Sequence, residues 1–492
     1  MQVEFSGKYP EVPATYGTRA ELLKRLDDCL AFAQRTVESV NPAHPLWNVD
    51  LGQVSGYEKM MMEVGIFAHL VGRAGCCDEA VGTLARAIRA HYDSTSALSC
   101  ILRHPRLAAS LGMLLLVLER FELATQQERA IVHRALESPY VDCSEHVPFR
   151  LLDRRWVLGL AGSTVEPLPE ALRLSTACRT THPIYMTRED GYAVTHTIMY
   201  VTDFGARAVP SELRGDAVWH TIDAAIAWCT AVADYDLLAE LLLAQLLLRR
   251  RLSKYGALAW RRSREIWDAL GFLPSPSLSA ASFRALTDQT EQRQYAFHNM
   301  YHTVLVSGLL CAAFLQMWVD DPEDPADQLQ YDEPSSVVRA VEGAVDYVQR
   351  VLRASPATAR EAIAAVDWTA SSSRVDELAR SWVKDEAAPE VATRMAIDAS
   401  IIVAAQDYDL SALAAALRCA ARTNCVTPTV QAGADFLAHQ SLVGGVIGAG
   451  RLVRGPSEAN ADAMESARTT AALANCLVDL GERLTRKRTD DP

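Results

Sequence analysis

The sequence predicts an all-α protein in which repeated αα-hairpins form an α/α toroid or a closed helical solenoid. Apolar residues recur at helical spacing along most of the chain, and the few β-branched clusters fall inside that period. A chain of 492 residues is too long for an ordinary compact domain unless hairpins repeat. The sequence Asp-Tyr-Asp-Leu occurs at 234–237 and again at 407–410, each time before an apolar helix. The alternative is a chance match of two helix caps in an irregular helical protein.

Three regions follow from the positions of the loops, and together they are expected to form one continuous toroid. They are an N-terminal helical region at 1–140, a central helical region at 141–320, and a C-terminal region at 335–492 that contains the second Asp-Tyr-Asp-Leu segment. An acidic loop at 320–334, broken by prolines, separates the last two.

Helices are predicted in order along these regions from apolar periodicity and from capping residues. Those of the first region span 21–40, 57–72, 78–92, 105–122 and 125–137. Those of the second span 169–179, a polar stretch within 181–205, 211–233, 237–251 and 289–318. Those of the third span 335–353, 373–386, 389–406, 410–421, 430–445 and 457–488. Eight of the twelve residues at 237–248 are leucine, which predicts a helix buried on all sides.

The composition predicts a cytoplasmic protein with a large core. Hydrophobic residues make up 49% of the chain and charged residues 22%, which suffices for such a core. The net charge of −13 is diffuse and argues against nucleic-acid and anionic-membrane partners. The one dense basic run, at 483–488, is followed by Asp490 and Asp491 and is expected to be a solvated helix end. Eleven cysteines without a CxxC pair, and no targeting pattern, indicate reduced thiols in the cytoplasm. The longest apolar runs, such as 304–315, are too short to span a membrane.

One polar stripe is predicted to form the wall of a functional site. Tyr192, His196, Tyr200 and Asp203 recur at helical spacing and therefore share one helix face, with Tyr185 just upstream. His196 would act as general acid or base, Asp203 would orient it, and Tyr200 would polarise the substrate. Tyr185 and Tyr192 would contact the substrate. The alternative is a buried polar network that only ties this helix to a neighbour.

A second set of similar chemistry lies about one hundred residues later in the predicted helix at 289–318. His298 and His302 are four residues apart and share a face, as catalytic candidates, while Gln294, Tyr295 and Tyr301 are candidates for substrate contact. The HxxxH spacing is compatible with a metal, but it lacks the glutamate of HExxH and a third ligand, so no metal is assigned. In a toroid, the two sets would face one central pocket. Plain structural histidines are the alternative.

Other catalytic motifs do not occur, and no organic cofactor is expected. The sequence contains no P-loop, no GxGxxG after a strand and no GxSxG elbow. The cysteines also lack the Cys…Cys-His arrangement of zinc-dependent lanthionine cyclases.

Three segments together resemble a known family. They are YAVTHTIMYVTDFG at 192–205, DYDLLAELLL at 234–243 and YHTVLVSGLLC at 301–311. They are similar to an uncharacterised all-helical family of actinomycete-type bacteria, associated with natural-product biosynthetic clusters, over about residues 145–315. The resemblance implies a biosynthetic context and assigns no reaction or catalytic residue.

Together with the context that the resemblance implies, the residue patterns lead us to expect a biosynthetic enzyme of bacterial natural-product metabolism, ribosomal peptides included. It would perform cyclase-type acid–base chemistry on a peptide or apolar small-molecule intermediate. The alternative is a non-catalytic helical-repeat module that binds a precursor peptide or a partner enzyme. A metal-dependent enzyme that uses His298 and His302 is a third, weaker hypothesis.

Overall fold

The computed structural model describes most of the chain. The described residues are 14–50, 54–139, 145–163, 168–179, 181–316, 372–382, 389–423, 425 and 427–442. Within them the regular secondary structure is helical, and the β-type pairing is an isolated bridge between Asp50 and Ser55. The all-α prediction is confirmed for this part of the protein.

The chain divides into two compact units. Unit 1 takes the described residues of 1–180, 188–219 and 233–323, and unit 2 takes those of 181–187, 220–232 and 324–492. The predicted N-terminal region and the larger part of the predicted central region thus lie in unit 1.

Nineteen α-helices span the described residues. In unit 1 they are α1 Arg19–Ser39, α2 Gly56–Ala74, α3 Asp78–His91, α4 Ser94–Arg103, α5 Ala108–Leu111, α6 Met113–Arg120, α7 Gln126–Leu136, α8 Pro148–Leu160, α9 Pro169–Leu174, α10 Arg188–Val201, α12 Tyr235–Arg249, α13 Lys254–Leu270, α14 Ala280–Ala285 and α15 Gln289–Gln316. In unit 2 they are α16 Ser372–Trp382, α17 Pro389–Gln406, α18 Leu410–Arg422 and α19 Pro428–Leu442. Helix α11, Asp216–Ala231, has residues in both units. None of these described helices is long and apolar enough to cross a membrane.

The observed bounds differ from the predicted ones mainly at turns. The helix predicted at 105–122 is two helices that meet at Gly112, where a Cβ would lie 2.4 Å from the carbonyl oxygen of Ala108. The sequence did not predict α4, and α9 stops at Leu174 instead of continuing to 179. Helices α13 and α14 lie between the helices predicted at 237–251 and 289–318, where the sequence predicts none. The loop at 320–334 and the helices predicted at 335–353 and 457–488 lie outside the described residues.

Helix α12 is the buried centre of the region that carries the predicted site. All of its residues from Tyr235 to Leu247 are buried, as the leucine pattern predicts. It packs between α10 and α15. The contact with α10 is close because Gly191 has no side chain: a Cβ there would lie 2.7 Å from Leu237 Cδ2. Helix α15 also packs against α1 and α2. These contacts place polar side chains of α10 and α15 against the same buried helix.

The two Asp-Tyr-Asp-Leu segments form the same turn, but two residues out of register. Ala233 has φ 57° and Asp234 caps α12, whereas Tyr408 has φ 55° and Asp409 caps α18. Each capping carboxylate accepts a hydrogen bond from the backbone N–H three residues later, at 3.2 and 2.9 Å. The structural equivalent of Asp234 is therefore Asp409. Asp236 lies inside α12 and is therefore not part of the turn that the two segments share.

Candidate functional site

Two buried carboxylates on α12 form the base of the candidate site. Asp236 and Glu240 are four residues apart and therefore lie on one face of the helix. Their side chains are 9% and 2% exposed. Buried acids are tolerated only when hydrogen bonds and opposite charges compensate for the lost water. The neighbouring helices must therefore supply donors.

Asp236 receives donors from both flanking helices. From α15, His302 Nδ1 lies 2.9 Å from its Oδ1, and Thr303 donates its hydroxyl to the same oxygen at 2.7 Å. From α10, Tyr192 donates its hydroxyl to Oδ2 at 2.5 Å, and Arg188 Nη2 donates at 3.3 Å. Burial alone would raise the pKa of Asp236, but His302 and the hydroxyl donors outweigh it and hold that pKa well below its usual range. Asp236 is an anion at neutral pH.

His302 is correspondingly a cation. Burial disfavours its charge, but the carboxylates of Asp236 and Glu63 outweigh burial and raise the pKa of His302 to about 10. The imidazole therefore keeps both N–H groups at neutral pH. Nδ1–H is engaged by Asp236, while Nε2 lies 3.7 Å from Glu240 Oε1, beyond hydrogen-bond length.

Glu240 is where the two predicted sets of residues meet. Its Oε2 accepts a hydrogen bond from the Thr195 hydroxyl at 2.5 Å and lies 3.6 Å from His196 Nε2. Its Oε1 lies 3.7 Å from His302 Nε2. The α10 and α15 imidazoles, 106 positions apart in sequence, thus contact one buried carboxylate.

Two further acids and two phenols surround this group. Burial, then the carboxylate of Glu63 on α2, raises the pKa of Tyr301 well above its usual range. Burial, then Asp153 on α8, does the same for the pKa of Tyr200. Asp153 itself pairs with Arg150 at 3.2 Å. Both phenols keep their protons at neutral pH and hydrogen bond to these acids, Tyr301 to Glu63 and Tyr200 to Asp153.

The imidazoles are accessible although the carboxylates behind them are not. The side chains of His196 and His302 are 24% and 30% exposed, and that of Arg188 is 40% exposed. Arg188 is fixed by two hydrogen bonds to Asp234, at 2.6 and 3.1 Å. The arrangement is therefore an exposed layer of nitrogen donors on a buried layer of acids.

Asp203 does not orient His196, which corrects the sequence hypothesis. Helix α10 ends at Val201, and Asp203 adopts a left-handed conformation with φ 47°. Its carboxylate accepts hydrogen bonds from Arg73 at 2.9 Å and from the Trp156 indole at 2.8 Å. The turn after the helix carries Asp203 away from the stripe, and Glu240 is the acid beside His196.

Two members of the second set are also used for structure. Gln294 accepts a hydrogen bond from the Trp47 indole at 2.9 Å and donates to the Ser39 carbonyl at 3.0 Å, so it fastens the loop after α1. The hydroxyl of Tyr295 accepts a hydrogen bond from the Ser279 amide at 3.0 Å and fastens the loop after α13. The buried Gln294 is therefore not available for the substrate contact that the sequence predicted, and the Tyr295 hydroxyl serves this loop.

The remaining predicted residues lie apart from Glu240. The ring of His298 packs edge-on against Trp47 at 5.0 Å, and burial lowers its pKa. His298 and His302 therefore face different neighbours. Tyr185 lies in unit 2, where its exposed ring contacts Phe436 at 5.8 Å. In the described part of the chain, no group of three or more His, Cys, Asp and Glu side chains is placed to hold a metal ion.

Sequence reasoning missed the acids that organise the site. From the sequence, Asp236 is only part of the Asp-Tyr-Asp-Leu repeat, and Glu240 is only one residue of a leucine-rich helix. The available signal was their spacing of four residues within a helix that is apolar on all sides, because such a helix has no solvent face for a carboxylate.

The match to a protein family covers this site. Residues 26–312 match the family described as Domain of unknown function (DUF6895), and this segment contains Glu63, Asp153, the helices α10 and α12, and α15 as far as residue 312. No curated protein and no solved structure matches the chain. Because the matched segment exceeds half of the 492 residues, the chain belongs to the DUF6895 family.

Proposed function

We propose that the protein is a cofactor-independent acid–base enzyme whose catalytic groups are His196 and His302. One observation carries this proposal: the Nε2 atoms of the two imidazoles lie 3.6 and 3.7 Å from the same buried carboxylate, Glu240. Neither distance is a hydrogen bond, so both nitrogens remain available to a substrate. Both rings are also partly open to solvent.

The two histidines have different roles because their surroundings differ. His302 is held as an imidazolium by Asp236, so its Nε2–H can donate to an oxygen on which negative charge develops. His196 can accept a proton from the attacking group, with Glu240 stabilising the resulting cation. Tyr200 stacks edge-on with His196 at 5.9 Å and hydrogen bonds to Asp153, so it holds the imidazole in place.

The reaction that suits these groups is cyclisation by intramolecular addition. His196 removes the proton of a nucleophile, the nucleophile adds to an unsaturated carbon within the same molecule, and a proton returns to the resulting anion. The product is an isomer of the substrate, so the reaction needs no oxidant and no co-substrate. The protein contributes orientation and proton transfer.

The resemblance of 192–205, 234–243 and 301–311 supports a setting in bacterial natural-product biosynthesis. On that basis the substrate is a peptide, ribosomal peptides included, or an apolar small-molecule intermediate, and a biosynthetic enzyme is a partner. The repeated hairpins support a toroid or solenoid around a central cavity. The nine cysteines in the described residues are free thiols, which supports a cytoplasmic location.

A second candidate function is binding without chemistry. This function is favoured because the acids of α12 already accept hydrogen bonds from donors on α10 and α15. Such a network also fits a module that only holds a precursor peptide or a partner enzyme. The activity of a His196 variant separates the two functions.

Replacing His196 with alanine is expected to abolish turnover and leave the fold intact, because the ring accepts no short hydrogen bond that the fold needs. The assay incubates purified protein with small-molecule extract from cells that lack the gene, in D2O, and follows all species by mass spectrometry. The wild-type protein should convert at least one species into an isomer that has gained solvent deuterium. The melting temperature of the variant should stay within about 3 °C of wild type, a shift that corresponds to less than about 1 kcal/mol.

His133→Ala is the matched control, since it removes a partly exposed imidazole of unit 1 that pairs with Glu119 at 3.1 Å, away from the site. It should retain the conversion. The enzyme hypothesis would be rejected by a His196→Ala protein that converts as fast as the wild type. A wild-type protein that binds species of the extract without changing them would favour the binding module.

A further inference from the structure

A second concave site lies on the opposite side of α15 from the imidazoles. A cavity of about 450 Å³ is bounded by α1, by the end of α13 with the residues that follow it, and by α15. From α15 it uses Met300, Val304 and Ser307. At 100° per residue, these three side chains lie on a face of α15 that is rotated about 160–220° around the helix axis from the side chain of His302. The cavity is therefore separate from the site around Glu240, and its volume is within the range of small-molecule pockets.

The inner part of the cavity is mostly apolar. Cys29, Trp267, Leu273, Met300 and Val304 line it and are buried. Ser307 also lines it, but its hydroxyl donates to the Thr303 carbonyl at 2.6 Å. The walls therefore suit the body of an apolar ligand.

The wall formed by Phe272 and Leu273 is held in position by α15. In the segment after these residues, Ser277 donates its hydroxyl to the Asn299 carbonyl at 3.3 Å, and the Ser279 amide donates to the Tyr295 hydroxyl at 3.0 Å. Tyr295 thus has a definite role in this region, although it is not the one predicted from the sequence. Because these hydrogen bonds hold the segment against α15, the wall of the cavity has a defined position.

The charged side chains at the rim of the cavity indicate what kind of ligand it binds. Asp28 is already paired with Lys24 at 2.8 Å, and Arg25 is paired with Asp268 while it lies over the Trp267 ring at 5.6 Å. Arg35 also lines the cavity and is exposed. No carboxylate among the described residues pairs with Arg35. One cation at the rim is thus available to an anionic group of a ligand.

We propose that this cavity binds a small molecule with an apolar ring body and one anionic group, the body resting on Trp267, Met300 and Val304 and the anion pairing with Arg35. The proposal does not depend on the reaction at His196. It adds a second ligand site to unit 1, on the other face of the helix that carries His302.

Two fluorescent probes with the same ring skeleton test the proposal in the full-length protein. 8-Anilinonaphthalene-1-sulfonate carries an anion, whereas N-phenyl-1-naphthylamine does not. The wild type should bind one molecule of either probe per chain, in a saturable manner. Arg35→Gln should weaken binding of the sulfonate about fivefold, which corresponds to about 1 kcal/mol for a solvent-exposed ion pair. It should leave binding of the neutral probe unchanged.

Ala31→Trp fills the cavity from its exposed rim and should abolish binding of both probes. Arg86→Gln, at an exposed arginine that contacts Thr83 on α3, is the control for loss of a surface charge and should bind both probes as the wild type does. The proposal is overturned if neither probe saturates at one molecule per chain. It is equally overturned if Arg35→Gln binds the sulfonate as tightly as the wild type does.

Discussion

Replacing Asp236 with alanine is expected to lower the free energy of unfolding of unit 1 by about 3–5 kcal/mol, as for a buried ion pair that loses one partner. The change leaves the His302 cation without its 2.9 Å partner and removes the acceptor of the Tyr192 and Thr303 hydroxyls. Hydrogen exchange of the α12 amides, measured by mass spectrometry, reports this free energy because α12 is buried along its length.

Asp409→Ala is the matched control, since Asp409 occupies the position of Asp236 in the second Asp-Tyr-Asp-Leu sequence. In the structure Asp409 is only a helix cap, which accepts from the Ala412 amide at 2.9 Å. Its loss should cost about 1 kcal/mol, measured on the α18 amides. Equal and small effects at the two positions would show that Asp236 is no more than a cap, contrary to the network described for it.

The ion pair between His302 and Asp236 predicts that stability declines as the pH rises above neutrality. The pKa of His302 is about 10 in the folded protein and about 6.5 in an unfolded chain. The native state therefore binds more protons between these values. The contribution of His302 is complete below pH 6.5 and is lost as the pH rises through 10. Because about a third of the ring is exposed, we expect a loss of about 2 kcal/mol between pH 6 and pH 9.

His302→Gln keeps a hydrogen-bond donor and removes the titration. The difference in unfolding free energy between wild type and this variant should therefore be largest at pH 6 and should shrink by about 2 kcal/mol at pH 9. Guanidinium unfolding at the two values measures it, and other titrating groups cancel in the difference. A difference that stays constant with pH would mean that the pKa of His302 is the same in the folded and unfolded protein, contrary to the ion pair with Asp236.

Much of the helical framework follows from local sequence. The leucine-rich segment at 237–248 predicts a buried helix, and Asp234 caps the helix that forms there. Thr18 with Glu21, and Ser55 with Glu58, form capping boxes that start α1 and α2. These features depend on residues within one turn of each other, which is why the sequence reveals them.

The composition of the site depends on contacts that no local pattern encodes. The sequence singles out His196 and His302, but the acid that lies beside both of them, Glu240, belongs to a third helix. The prediction for Asp203 continues the helical spacing beyond Val201. Helix α10 ends there, and Asp203 is already part of the left-handed turn that continues through Phe204. Gln294 lies one turn from His298 on a 28-residue helix, yet the loop after α1 covers it. The spacing of residues along a long helix gives the direction in which each side chain points, but it does not identify the residues that the side chain contacts.

The central claim is that the histidines of α10 and α15 form one site around Glu240. The most direct measurement is the NMR spectrum of the protein with 13C at the Cε1 position of histidine. The account predicts that His196→Ala shifts the His302 resonance, that His302→Ala shifts the His196 resonance, and that Glu240→Gln shifts both. His133→Ala should shift neither. If the His302 resonance is unchanged in both the His196→Ala and the Glu240→Gln proteins, the two imidazoles do not share a site.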